Sequence, residues 1–415
     1  MKTKKLFLLF FLLTFSLSMF SQVLQWRGKD RKGIYDGEGL LTEWPAEGPE
    51  MIWSLVNLPS GYSSPIIVNE TIYLTGVRDS SDFIMALSMD GKLLWEKPFG
   101  KAWLNNYVGS RCTPTYENNK LYVTSGMGEV VCLNAKDGSI IWKVDAHSQF
   151  KGKYTRFGLS ESILIFKNKV FYMPGGNDAT MVAFDKETGA EIWASESLGN
   201  SPAFVSPLLV EQNGKRIIVT LDKKNLMGVN PHNGNIIWTF DYSQYAGKRA
   251  YNNHSNTPLY EDGSIYITTG YDHKSIKFKL ADDLSSVSIE WINEVMDNHH
   301  GAVVKIGNYI YGSTWDNNAN GKWACIDWTT GETMYETDWF NKGQIIAAGG
   351  YLYCYDEKYG NVGLVKATPE KFEVISSFKV TLGKRGPFWP HPVIDNGILY
   401  LRHEDAFMAY SISEK

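Results

Sequence analysis

Apolar and polar positions alternate over short runs along nearly the whole chain, and the runs recur in matched sets. TIYLTG, KLYVTSG, KVFYMPG, RIIVTL, SIYITTG, YIYGST, YLYCYD and ILYLRH each read as a strand rich in β-branched and aromatic residues. A shorter strand precedes each. Ser64-Pro65, Thr113-Pro114, Ser206-Pro207, Thr257-Pro258 and His391-Pro392 open the regular copies, and less regular ones start near Ser162, Ala302 and Gln344. A third and fourth strand follow, joined by a turn that is clearest in AFDKETGAEIW (183–193). ALSMDGKLLW (86–95), CLNAKDGSIIW (132–142), GVNPHNGNIIW (228–238) and CIDWTTGETMY (325–335) are its counterparts.

The spacing of these turns has a physical reason. A small residue leaves room, and an Asp, Asn or Ser two positions later accepts backbone N–H groups across the turn. Gly then supplies the positive φ of a tight hairpin. The aromatic four residues past the Gly projects from the outer strand and buries a large apolar area between neighbouring sheets. Eight copies are expected, with outer-strand aromatics at Trp95, Trp142, Trp193, Trp238, Trp291, Tyr335 and Phe378. The eighth copy ends at its third strand, in MAYSISEK, while a spare strand, MIWSL with Trp53, stands near the start. The early strand is therefore expected to complete the last blade and close an all-β, eight-bladed β-propeller, leaving no open sheet edge.

The full A-x-D-x-x-T-G-x-x-x-W pattern, met by Ala183, Asp185, Thr188, Gly189 and Trp193, resembles the tryptophan-docking motif of quinoprotein propellers. The opening WRGKDRKGIYDGEGLLTEWP resembles the lead-in of exported pyrroloquinoline-quinone-like (PQQ-like) repeat proteins. The resemblance covers essentially all of the chain after residue 22. It implies the propeller fold and leaves the chemistry open, because function resides in sites grafted onto folds.

Three lysines, Lys2, Lys4 and Lys5, precede an apolar stretch from Leu6 to Phe20, the arrangement of a secretory signal over 1–22 and short for a spanning helix. A lead-in at 23–50 and a single propeller at 51–415 are expected to follow. Export to the periplasm or beyond is expected, with no membrane insertion after cleavage. No cysteine stands near the expected cleavage point, so no lipid anchor is expected. A net charge of −4 gives no electrostatic case for nucleic acid. The four cysteines are read as buried free thiols, with Cys132 and Cys325 in the small-residue position of the turn motif.

In such blades the second-to-third strand loops and the between-blade connections share one face, and variable loops on a rigid scaffold usually carry binding. Counting back from each first strand places Tyr62, Arg111, Ser160, Phe204, Ser255, His300, Lys342 and Trp389 around the channel mouth, with His254 and His299 beside them. Asn106, Tyr107, Arg156, Asn253 and Trp315 are among the loop tips. This aromatic, amide, imidazole and guanidinium mixture suits a polar organic ligand. Among the blade-entrance histidines only His254 with His299 or His300 is expected to converge. Two ligands without a third do not make a site, so no metal is expected.

Three functions follow from these readings. The first is a monomeric, non-enzymatic binding or scaffold propeller for a small polar ligand, a glycan or an envelope protein, supported by the absence of a nucleophile–base or paired-carboxylate constellation. It is similar in repeat type to the outer-membrane assembly propeller, whose lipid anchor is not expected here. The second, implied by the resemblance, is a PQQ- and Ca²⁺-dependent dehydrogenase of alcohols or sugars. Asp297, Asn298, Asp316 and Asn317 are candidate oxygens for the ion, but the paired adjacent cysteines of alcohol-oxidising members are lacking. The third is a carbohydrate-binding or polysaccharide-cleaving propeller. The first is preferred, with no catalytic residue assigned.

Overall fold

Each predicted repeat folds into its own antiparallel sheet, because the short turns leave consecutive strands no other partner. The computed structural model describes residues 24–414, so the signal-like stretch at 1–22 lies outside the described residues. Blades 1 to 8 occupy 66–101, 115–145, 164–194, 208–241, 259–293, 303–337, 343–379 and 393–411. Blade 8 gains its fourth strand from Glu50–Leu55, antiparallel to Ala406–Ser411 with Trp53 opposite Ala409. The ring closes as expected. No helix among the described residues is long and apolar enough to cross a membrane.

The buried apolar residues fall into eight clusters, and each cluster straddles one junction between adjoining blades. The docking aromatics are the reason. Trp142 sits opposite Cys132, Trp193 opposite Ala183, Trp238 opposite Gly228 and Tyr335 opposite Cys325, in each case just past a bulge. Four of the docking tryptophans bond the next blade's turn: Nε1 of Trp53, Trp142, Trp238 and Trp291 donates to the carbonyls of Met89, Lys186, Leu284 and Trp328 at 2.8–3.1 Å. The turn glycine has a second duty there. A Cβ on Gly189 would lie 2.7 Å from the Trp142 ring, and one on Gly331 2.6 Å from that of Trp291. All four cysteines are buried and unpaired.

Blade 7 departs from the expected pattern. Its third-to-fourth strand turn contains no glycine to count from, and Phe378 is not at the docking position. The residue just past the bulge is Ser376, opposite Leu364, while Phe378 faces Val362 two places on. The lead-in supplies the missing indole. Trp44 is buried between blades 7 and 8, its ring 5.4 Å from Phe378 and 5.9 Å from Tyr353, and its backbone N–H donates to Ser376 Oγ at 2.8 Å.

The rest of the lead-in plugs the channel from the short-turn face. Ile34–Tyr35 adds a parallel fifth strand to the inner edge of blade 7. Arg31 is buried and donates to the carbonyls of Ser162, Ile163 and Pro207 at 3.0–3.1 Å, bridging blades 3 and 4. Arg27 does the same across the ring, donating to the carbonyls of Val303 at 2.6 Å and Ile345 at 2.8 Å, with His391 Nδ1 at 2.9 Å. Burial lowers both guanidinium pKa values to about 10, so both stay charged at neutral pH.

Glu161 lies beside this plug, with one oxygen accepting from the Met173 N–H at 3.0 Å and the other without a partner. Burial pushes its carboxyl up to about 8 from an ordinary 4.5, against the opposing pull of Met173 and Arg31. The folded state therefore binds a proton that the unfolded chain releases between those two values, so this carboxyl costs stability as pH rises through that window. Glu161→Gln should gain on the wild type by about 2 kcal/mol or more between about pH 5 and about pH 9. Urea unfolding at both pH values checks this, and parallel pH profiles for the two proteins would refute it.

Candidate functional site

On the opposite face the between-blade connections and the second-to-third strand loops enclose a cavity of about 440 Å³. Arg111, Tyr107, Phe157, Phe204, Asn253, Tyr271, His299, His300, Glu357, Lys358 and Trp389 are among its lining residues. They arrive from the entrances of blades 2, 3, 4, 5, 6 and 8 and from the loops of blades 5 and 7, so seven of the eight blades contribute to the wall. Trp389 is the centre of the aromatic side, 5.0 Å from both Tyr62 and Tyr107 and 4.9 Å from His300. Arg111 lies over the Tyr62 ring at 5.7 Å and donates to the Tyr107 carbonyl at 2.8 Å.

The polar side is built on Glu357. Lys342 Nζ donates to Glu357 Oε1 at 3.0 Å, and His299 Nδ1 and His300 Nδ1 lie 3.9 Å and 3.6 Å from Oε2. Burial alone would raise the Glu357 pKa, but the two imidazoles and the Lys342 ammonium hold it well below the usual carboxylate range. Burial, helped by His300, lowers His299 to about 3, which leaves its ring neutral. Both nitrogens of His299, Nδ1 of His300, Nε1 of Trp389 and Oδ1 of Asn253 are buried without a hydrogen-bond partner. Each such atom costs about 1–3 kcal/mol in a folded protein. Their convergence on one cavity marks it as a place where a ligand's polar atoms would be taken up.

The expected site residues divide. Arg111, His299, His300 and Trp389 line the cavity. Tyr62 lies behind Trp389, with its hydroxyl donating to Glu404 Oε1 at 3.2 Å. Lys342 is fully buried and consumed by Glu357 and by the carbonyls of Asn317 and Asn318 at 3.0 and 3.1 Å. His254 faces away toward His273, ring centres 5.2 Å apart, so the expected pairing with His299 or His300 does not form. Asn106 holds loops together, accepting from Trp103 Nε1 at 3.2 Å and donating to the Arg156 carbonyl at 3.0 Å, while the Arg156 guanidinium covers Phe157. Trp315 donates to Asn318 Oδ1 at 3.1 Å and lies 5.6 Å from the Tyr271 ring at a tilt of 45°.

With this geometry in place, the comparisons with known proteins bear on one question, the family. The family model described as outer membrane protein assembly factor BamB matches residues 80–337. The chain belongs to that family. A curated relative, an uncharacterized protein of Rickettsia conorii, is 26% identical over 291 residues, covering 68% of this chain and 63% of the relative. The chain thus spans less than two thirds of that relative's length. Among solved structures, BamB from Moraxella catarrhalis superposes with a TM-score of 0.62 at 14% identity, over 88% of this chain and 98% of that one. The quinohemoprotein alcohol dehydrogenase of Comamonas testosteroni does so with a TM-score of 0.65 at 10% identity, over 93% and 79%. At such identities the likeness is one of fold.

The cofactor suggested by the quinoprotein side of this fold can be tested against the residues present. A Ca²⁺ ion takes about six to eight oxygen ligands. The cavity of this BamB-family chain instead offers two imidazoles, the amides of Asn253, Asn318 and Asn341, and a single carboxylate already paired with a lysine. Three of the four expected oxygen donors are engaged elsewhere. Asp297 accepts from the Asp272 and His273 N–H groups, Asn298 is bonded to Asn256 and Ser313, and Asn317 caps its own turn. Asp316 contributes its carbonyl to Arg249. The residues do not fit a Ca²⁺-bound quinone.

Proposed function

We propose that this member of the BamB family is an exported, non-enzymatic binding propeller that receives a polar group of its ligand in the loop-face cavity. The observation that carries the reading is the set of unpartnered buried polar atoms on His299, His300, Trp389 and Asn253 beside an aromatic wall. An aromatic face with directed polar groups orients a small ligand, a sugar or a side chain of an envelope protein. Leu104, Tyr107, Val108, Tyr251, Phe340 and Tyr359 are exposed on the same face, and an apolar rim of this kind favours a macromolecular ligand. The name of the Moraxella relative, an assembly factor of outer membrane proteins by family, agrees with a partner in the envelope. Removal of 1–22 and a single propeller over 51–415 belong to the same proposal.

The test is a fluorescence titration against a glycan panel and against PQQ with Ca²⁺, using Trp389 and its neighbours as reporters. Saturation by a glycan without turnover supports the reading. Trp389→Ala should then weaken that binding by about 2 kcal/mol, roughly thirtyfold, with the thermal midpoint little changed. Ca²⁺-dependent saturation by the quinone with reduction of an electron acceptor would replace this reading with the dehydrogenase one.

A further inference from the structure

The polar side of the cavity contains a constellation that ligand binding through aromatic contacts leaves unexplained. His299, His300 and Glu357 each present one donor atom, all within 4.8 Å of one another. His299 is 5% exposed, and neither of its nitrogens has a hydrogen-bond partner; nor has Nδ1 of His300. The two rings are adjacent in the chain and their centres stand 3.4 Å apart, a crowding with no bond between them to account for it. Glu357 is oriented by Lys342, which takes Oε1 and leaves Oε2 toward the imidazoles. Lys342 is in turn fixed by the carbonyls of Asn317 and Asn318. This is the outer-shell support by which ligating carboxylates are commonly held.

We propose that His299, His300 and Glu357 bind a divalent transition-metal ion whose fourth position opens into the cavity. Two ligands about 2.0–2.1 Å from a tetrahedral zinc stand roughly 3.3 Å apart. The 3.6 Å and 3.9 Å separations from Glu357 to the two imidazoles therefore need only small side-chain rotations to close on the ion. Two nitrogens and one oxygen select a zinc-like ion over Ca²⁺ or Mg²⁺. Three protein ligands with the remaining direction facing a cavity form an open site. Arg111 and Lys358 line the same cavity and, with the ion, favour an anionic oxygen at the open position. That last step rests on the binding reading above, whereas the metal site does not.

The experiment uses the full chain after chelator treatment, with Co²⁺ as a visible probe and Zn²⁺ as competitor. One equivalent of Co²⁺ should give saturable visible bands, displaced by Zn²⁺. His300→Ala, at the more accessible ligand, and Glu357→Gln should each lower the affinity by about a hundredfold or more. His232→Ala, an exposed histidine on the short-turn face, should leave it unchanged. Thermal midpoints in metal-free buffer establish that each variant is folded; if one is not, the other carries the test. Absence of saturable one-equivalent binding, or full affinity in a folded His300→Ala, overturns the site. Acetate should shift the Co²⁺ bands. Bound Co²⁺ that is insensitive to acetate would refute the open position, independently of whether any glycan binds.

Discussion

Arg31→Ala is expected to lower the unfolding free energy by about 3–5 kcal/mol, the cost of removing one partner from a buried charged network. The guanidinium donates to three carbonyls from two blades, and of these the Ile163 carbonyl also accepts from Thr115 Oγ1 at 2.7 Å. Truncation strands the Ser162 and Pro207 carbonyls and opens a void where the lead-in crosses the ring. Arg31→Lys should recover only part of the loss, because an ammonium lacks the planar fork that spans Pro207 and Ser162. Equilibrium unfolding in urea measures both variants. The cavity on the far face should keep its geometry, so metal and ligand binding serve as the control. A loss below about 1 kcal/mol would mean that the plug is an ornament of the channel and not a brace.

Trp44→Ala is expected to cost a similar amount, about 3–5 kcal/mol. Its indole takes the place that an outer-strand tryptophan holds at six other junctions, and Ser376 at that position of blade 7 has nothing to offer the gap. Trp44→Phe should retain most of the apolar contact with Phe378 and Tyr353 and lose much less. The decisive comparison is Phe378→Ala. If Phe378 were the docking residue, as the chain pattern predicts, its loss would exceed that of Trp44. The structure requires the reverse order.

These two residues also show where the chain pattern stops being informative. Strands and docking tryptophans are legible because turn and aromatic lie close in sequence, and a glycine anchors the count from one to the other. Blade 7 lacks that glycine, so the pattern points two residues too far along the strand, to Phe378. Blade 5 lacks it as well, but Leu284 adopts the positive φ there and Trp291 remains in place. The loop-face residues were legible as a ring of positions and not as directions. Lys342 occupies a ring position, yet the Asn317–Asn318 loop offers carbonyls that draw its ammonium inward. Glu357 and Tyr271 lie in second-to-third strand loops of blades 7 and 5, whose residues the spacing of the first strands does not place. The run YDEKYG held a signal: a carboxylate beside a lysine, in a loop that follows a strand apolar up to its last residue, Asp356.

The lead-in has a consequence for how the molecule is made. Arg27 meets Ile345 and His391 across 318 and 364 residues of chain, and Glu50–Leu55 waits for the last strand of blade 8. Leu24 and Arg31 meet partners in blades 2 to 4, but Arg27 and Glu50–Leu55 find theirs only when nearly all of the polypeptide is present. Such long-range closure is entropically expensive and slow. Until it happens, the growing chain is an unfinished arc whose two end blades each have a naked flank. A cut on either side of the seam would cost the molecule its ring and not a single blade.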